Sequence, residues 1–144
     1  MAKRLVDPLV ARSPATSPAI AYLDTHVVVW LAAGTVSRIS PKAKAQLERS
    51  ELLISPVVLL ELEYLHELKR VKLPARDLFQ KVAHEVGTRL CDLPFASIVA
   101  SSLDEKWTRD PFDRLIVANA KANGFAALVS ADEEIRRRYP RTIW

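Results

Sequence analysis

Four acidic residues stand beside apolar runs. Asp24 directly follows AIAYL, and Asp132 stands two residues beyond AALVS. Glu61 lies inside PVVLLELEYL and Asp113 opens DRLIVANA. At about 100° per helical residue, Val57, Val58, Leu65 and Leu68 project within about 60° of Glu61. Ile116, Val117 and Ala120 fall on the side of Asp113. An unpaired carboxylate on an apolar face is costly, so each needs a compensating partner, an Arg or a metal ion. Local explanations compete. Asp after a strand often caps the next helix, and in DPFD an Asp110 N-cap, Pro111 at the first position and Asp113 near the helix dipole would suit capping alone. Capping does not explain why Asp113 points toward the core. Taken together, the four acids converge, repel and raise one another's pKa values. Oxygen ligands without cysteine or a histidine pair select a hard cation, Mg²⁺ or Mn²⁺. Such an ion polarises a phosphoryl oxygen and activates water for in-line attack on a phosphodiester.

The elements that must position these acids alternate along the chain. AIAYL, ELLI, TRLCDL and AALVS read as short buried strands, and RTIW as an edge strand. Helices are expected through VVVWLAA to Gly34, from Pro41, from Pro56 to about Leu68, over PARDLFQKVAHEV, over PFASIVASSL, from Pro111 to Gly124, and over DEEIRRR. This order predicts an α/β/α three-layer fold around a mostly parallel sheet of four to five strands. Sites in such sheets form beyond the carboxyl ends of the strands. Residues 1–18 carry three of the nine prolines and no periodicity, and read as a flexible arm; 19–144 read as a single domain.

Composition narrows the function classes. The 144 residues are 49% hydrophobic and 26% charged, as in an ordinary soluble protein. No apolar run approaches the roughly 18 residues of a membrane span, and Cys91 is the only cysteine. A cytoplasmic protein without a membrane partner is expected. Three glycines exclude a Walker A loop and a G-x-G-x-x-G turn. The net charge of +4, with a local cluster in RRRYPR, is compatible with a polyanionic partner or with an ordinary solvated surface.

YLDTHVVVWL, SPVVLLEL, RDPFDRLIVANA and LVSAD, in this order, resemble the four acidic motifs of PIN-domain ribonucleases, and most of all VapC-type toxins of toxin–antitoxin modules. The resemblance runs from about Tyr22 to the C-terminus. It implies a PIN-like fold and a Mg²⁺-dependent endoribonuclease with Asp24, Glu61, Asp113 and Asp132 as the acidic, metal-holding set. It further implies support from Thr25 and Ser130, with Asp110 part of the motif. An RNA substrate, a VapB-like antitoxin and a homodimer follow from the same resemblance. The arm over 1–18 is longer than the family pattern.

Arg109 and Arg114 flank Asp113 and are candidates for RNA phosphates, though both also suit solvated helix-end charges. His26, Trp30, Trp107 and Trp144 read more readily as packing residues. A haloacid-dehalogenase-type phosphatase would need a second Asp where His26 stands. A non-catalytic or housekeeping PIN module acting on RNA is the alternative reading, disfavoured because a dead site has no reason to keep a repulsive cluster.

Overall fold

Strand β1 (Ala19–Leu23) opens the part of the chain described by the computed structural model, residues 19–144; the arm expected over 1–18 lies outside the described residues. The chain continues through α1 (Thr25–Ala33), a 3-10 turn at Val36–Arg38, α2 (Pro41–Arg49), β2 (Ser50–Ile54) and α3 (Pro56–Glu67). It then forms α4 (Ala75–Val86), β3 (Arg89–Leu90), α5 (Phe95–Ser102), α6 (Pro111–Ala122), β4 (Ala127–Val129), α7 (Glu133–Arg138) and β5 (Thr142–Ile143). Local chemistry sets several of these boundaries. The Ser40 hydroxyl accepts from Ala43 N at 3.1 Å, and Pro41 supplies a first residue with no N–H to orphan. Gly34, at φ 74°, closes α1 in the left-handed conformation that a side chain would resist.

The sheet has five strands in the order β3-β2-β1-β4-β5, and each pairing is parallel. Ala19 faces Ser50 and Tyr22 faces Leu128 across β1. Ala21, Tyr22 and Leu23 are all buried, as are Leu52–Ile54 and Ala127–Val129. Successive strand residues point to opposite faces, so consecutive burial means that helices cover both faces. From β1 the chain moves outward to β2 and β3, then returns to the other side of β1 for β4 and β5. The sheet order therefore reverses between β1 and β4, and a crevice opens beyond their carboxyl ends.

A buried polar knot ties α6 to this switch point. Tyr22 donates its hydroxyl to Cys91 Sγ at 3.1 Å, while Asn119 and Asn123 donate to the Tyr22 oxygen at 3.2 and 2.7 Å. Burial, first, and the Cys91 bond raise the Tyr22 pKa well above the usual phenol range, so the hydroxyl keeps its proton as donor. The knot fixes the height of α6 against β1, and hence the place of Asp113.

Two expectations shift. TRLCDL pairs only at Arg89–Leu90, with Cys91 N reaching Ile54 O at 2.9 Å. Both paired residues are exposed, as suits a short edge strand. Leu68 is 46% exposed and caps α3 rather than joining its apolar face; Leu62 is buried in that face instead. Helix α3 ends at Glu67, so Leu68 leaves the stripe, and Glu61 lies between Val57 on one side and the buried Val58 and Leu62 on the other.

Candidate active site

The crevice at the switch point holds a cleft of about 360 Å³. Asp24, Glu61, Asp110, Asp113 and Asp132 line it, with Thr25, His26 and Arg70. Four elements bring in the five acids. Asp24 ends β1 and caps α1, its Oδ1 accepting from Thr25 N at 2.8 Å. Asp132 follows β4 and caps α7, accepting from Ile135 N at 2.9 Å. Asp110 caps α6 through Phe112 N at 2.9 Å and Asp113 N at 3.4 Å. Glu61 comes from the middle of α3, and Asp113 from the first turn of α6. The capping expected from the sequence is therefore real, and the same residues also face the cleft.

Hydroxyls hold two of the acids from behind. Ser130, fully buried, donates to Asp24 Oδ2 at 2.5 Å and accepts from Asp132 N at 3.1 Å. Thr25 donates to Glu61 Oε1. His26 stands at the rim, accepting from Ala131 N through Nε2 at 3.0 Å, with Nδ1 3.5 Å from Asp24 Oδ2. An acceptor at Nε2 leaves the ring proton on Nδ1, facing the Asp24 carboxylate. Asp113 differs from these. Among the described residues nothing donates to its carboxylate, and none of Glu61, Asp110, Asp113 and Asp132 is in an ion pair.

The electrostatics follow from that imbalance. Burial and then the charges of Asp110, Asp24, Asp132 and Glu61 push the Asp113 pKa from 3.8 up to about 7. Burial also raises Glu61, against the Thr25 hydrogen bond and with help from Asp24 and Asp110. Half-buried, mutually repelling carboxylates fit a site that takes a cation, and an all-oxygen donor set suits Mg²⁺ or Mn²⁺. Among the described residues no group of three or more His, Cys, Asp or Glu side chains is gathered so that it could hold a metal ion as it stands. Asp24 and Glu61 accept from hydroxyl groups, and Asp24 and Asp132 from backbone N–H groups.

Arg114, a candidate for RNA phosphate, is turned away from the cleft. Its Nε and Nη2 donate to Ser102 O and Leu103 O at 3.2 and 3.3 Å, which ties α6 to the end of α5. Arg109 is exposed outside the cleft lining. Sequence reasoning missed Arg70, which lines the cleft from the turn after α3. No periodicity marks a turn residue, so nothing in LKRVKLP singles it out.

Comparison with known proteins agrees with this architecture. The PIN domain family model matches residues 21–139. Ribonuclease VapC22 of Mycobacterium tuberculosis is 34% identical over 128 residues, covering 85% of this chain and 96% of that protein. The VapBC2 structure from Rickettsia felis, bound to a promoter DNA fragment, superposes with a TM-score of 0.58 at 17% identity, over 85% of this chain and 95% of that one. A toxin–antitoxin complex from Klebsiella pneumoniae gives 0.54 at 14% identity, over 86% and 96%. The family match, the parallel sheet and the acids at its switch point together place the chain in the PIN-domain family.

Proposed function

We propose that the protein is a divalent-metal-dependent endoribonuclease, the toxin of a toxin–antitoxin module, with Asp24, Glu61, Asp113 and Asp132 holding Mg²⁺, or Mn²⁺ in its place. The observation that carries the reading is a cleft of acids in which Asp113 has no donor or cationic partner among the described residues. The 34% identity to a protein named a ribonuclease supports it. A bound divalent ion would supply activation of water and charge neutralisation at the phosphate. The chain's own residues do the positioning. Ser130 and Thr25 orient Asp24 and Glu61, and Asp110 fixes the first turn of α6 from which Asp113 projects. Arg70 is placed to meet an RNA phosphate at the cleft wall. Arg109 remains a candidate for a more distant phosphate, whereas Arg114 acts structurally.

A free ribonuclease endangers its own cell, and solved relatives with this fold include toxin–antitoxin complexes. The partner proposed here is a VapB-like antitoxin that offers a guanidinium or ammonium to the acids, since Arg binds carboxylates bidentately. Exposed Leu60, Tyr64 and Leu68 on and after α3 supply apolar surface for it. A homodimer acting in the cytoplasm belongs to the same reading. Among the described residues no helix is long and apolar enough to cross a membrane. Cleavage of total cellular RNA by purified protein, with Mg²⁺ and with EDTA, tests the activity. Cleavage that persists in EDTA overturns the metal role, and intact RNA in Mg²⁺ overturns the nuclease. Co-expression with the adjacent small open reading frame tests the partner, with a co-purifying, inactive complex expected.

A further inference from the structure

A second cleft lies beside the acid site. It measures about 430 Å³ and is lined by Lys42, Glu133, Arg136, Arg137, Thr142 and Trp144. The two clefts share α7. Its N-cap Asp132 faces the acids, while Glu133 and, one turn on, Arg136 and Arg137 face the second cleft. One turn is about 5.4 Å along the axis, so the cations begin next to the acids.

The wall between the clefts is aromatic. His26 lines the acid cleft, and its ring lies 4.9 Å from that of Trp30 and 6.4 Å from that of Trp144. Trp30 and Trp144 are 5.8 Å apart, and the Arg38 guanidinium stands 5.0 Å from the Trp30 ring centre. Both indoles are only partly buried, unlike the aromatic core residues Tyr22 and Tyr139. Three cationic side chains meet one acidic side chain in the second cleft. Among the described residues Lys42 and Arg136 are in no ion pair, while Arg137 is paired with Glu134. A polyanion approaching five carboxylates needs cations nearby to hold it against their field, and Arg114 is committed elsewhere.

We propose that this cleft is a substrate subsite, in which Lys42, Arg136 and Arg137 hold phosphates of a single-stranded RNA beside the scissile bond and Trp144, backed by Trp30, stacks on a base. The proposal rests on the ribonuclease reading of the acid cleft. A single strand is required because a base must be free of its own stack to lie on an indole. An acidic polypeptide would use the same cations but gains nothing from a flat aromatic face.

The test measures binding of a fluorescent single-stranded oligoribonucleotide to full-length protein carrying Asp113→Asn, so that cleavage does not intervene. Adding Lys42→Glu and Arg136→Glu should weaken binding at least tenfold and reduce the salt slope by about 1.4, at roughly 0.7 for each phosphate no longer neutralised. Trp144→Ala should weaken binding about tenfold with the salt slope kept, and Trp144→Phe should restore most of the loss. Thermal melts confirm that these variants at partly or fully exposed positions fold. Unchanged affinity in the double-charge variant overturns the subsite. Loss in that variant, no effect of Trp144→Ala, and displacement of the RNA by a polyglutamate peptide also overturn it, in favour of an acidic protein ligand. Failure of the ribonuclease reading is seen separately, as Mg²⁺-dependent cleavage absent from wild type that still binds the oligonucleotide.

Discussion

Glu105 and Asp113 are both acids drawn into the protein, and the molecule treats them oppositely. Glu105 is 2% exposed. Its Oε2 meets Lys121 Nζ at 2.6 Å and its Oε1 accepts from Trp107 Nε1 at 2.7 Å. That is how a structural acid is buried: both oxygens are occupied and the charge is opposed. Asp113 is more exposed, yet it has four carboxylates as electrostatic neighbours and its pKa climbs to about 7. The two sit at opposite ends of the same packing problem, because Lys121 belongs to the helix that Asp113 opens. Burial by itself therefore says little about role. An acid with no donor or cation among the described residues is what the proposed metal site requires, and Glu105 is its opposite.

The largest expected effect is on catalysis. Asp113→Asn should lower Mg²⁺-dependent RNA cleavage on the order of 10³-fold or more, several kcal/mol of transition-state stabilisation. Glu105→Gln should leave cleavage per folded molecule near wild type. Asp24→Asn should behave as Asp113→Asn does. Initial rates on one RNA substrate decide the matter, and a wild-type rate from Asp113→Asn removes that residue from the site.

Metal linkage comes next. At a hundredfold excess of Mg²⁺ over Kd, wild type should gain about 2.7 kcal/mol. Glu105→Gln should gain the same amount and Asp113→Asn much less. Equal gains in all three, read from melts with Mg²⁺ and with EDTA, would mean that the ion binds somewhere other than this cleft.

Glu105→Gln itself should cost about 1–3 kcal/mol, toward the low end, because Lys121 is left without its carboxylate but its side chain is 28% exposed. Urea unfolding measures this. Stability equal to wild type would show the pair to be neutral and the comparison with Asp113 to be weaker than its geometry suggests.

That the acids would lie near one another was readable in sequence for a physical reason, whereas the hydroxyls behind them, Thr25 and Ser130, followed only from the family resemblance. A carboxylate inside a helical apolar stripe, as at Glu61 and Asp113, breaks a pattern that packing otherwise enforces. A strand-end Asp before a helix, as at Asp24, sits where an α/β crevice must form. The fold class followed from alternation of the same kind, and even the two-residue β5 was expected from RTIW. Pairings between distant side chains stayed hidden. Nothing in the spacing says that Arg114 turns to the carbonyls of α5, that Trp30, Trp144 and His26 meet, or that Arg70 reaches the cleft. Each depends on how elements distant in sequence are set against one another, and periodicity within an element carries no such information. The extent of TRLCDL as a strand was hidden similarly, because an edge strand is ended by its neighbour's length and not by its own composition.

The smallest effect is the most specific, because it has a sign. Asp113 ionises near 3.8 when unfolded and near 7 in the metal-free fold. Below about pH 4 both states hold the Asp113 proton, so Asp113 adds no cost. Between about 4 and 7 the native state keeps a proton that the unfolded chain has released, so stability falls as pH rises through that window. Above about 7 the full repulsion is present. Glu61, also raised, adds in the same direction. Asp113→Asn removes one ionisation and one charge from the cluster. In EDTA its stability should change less than wild type between pH 5 and pH 8, and at pH 8 it should equal or exceed wild type. The partial exposure of the cleft makes the difference modest, so urea midpoints at both pH values must be compared within one preparation. Parallel curves for the two proteins would show that Asp113 does not carry the uncompensated charge, and the contrast with Glu105 would then need another residue at its centre.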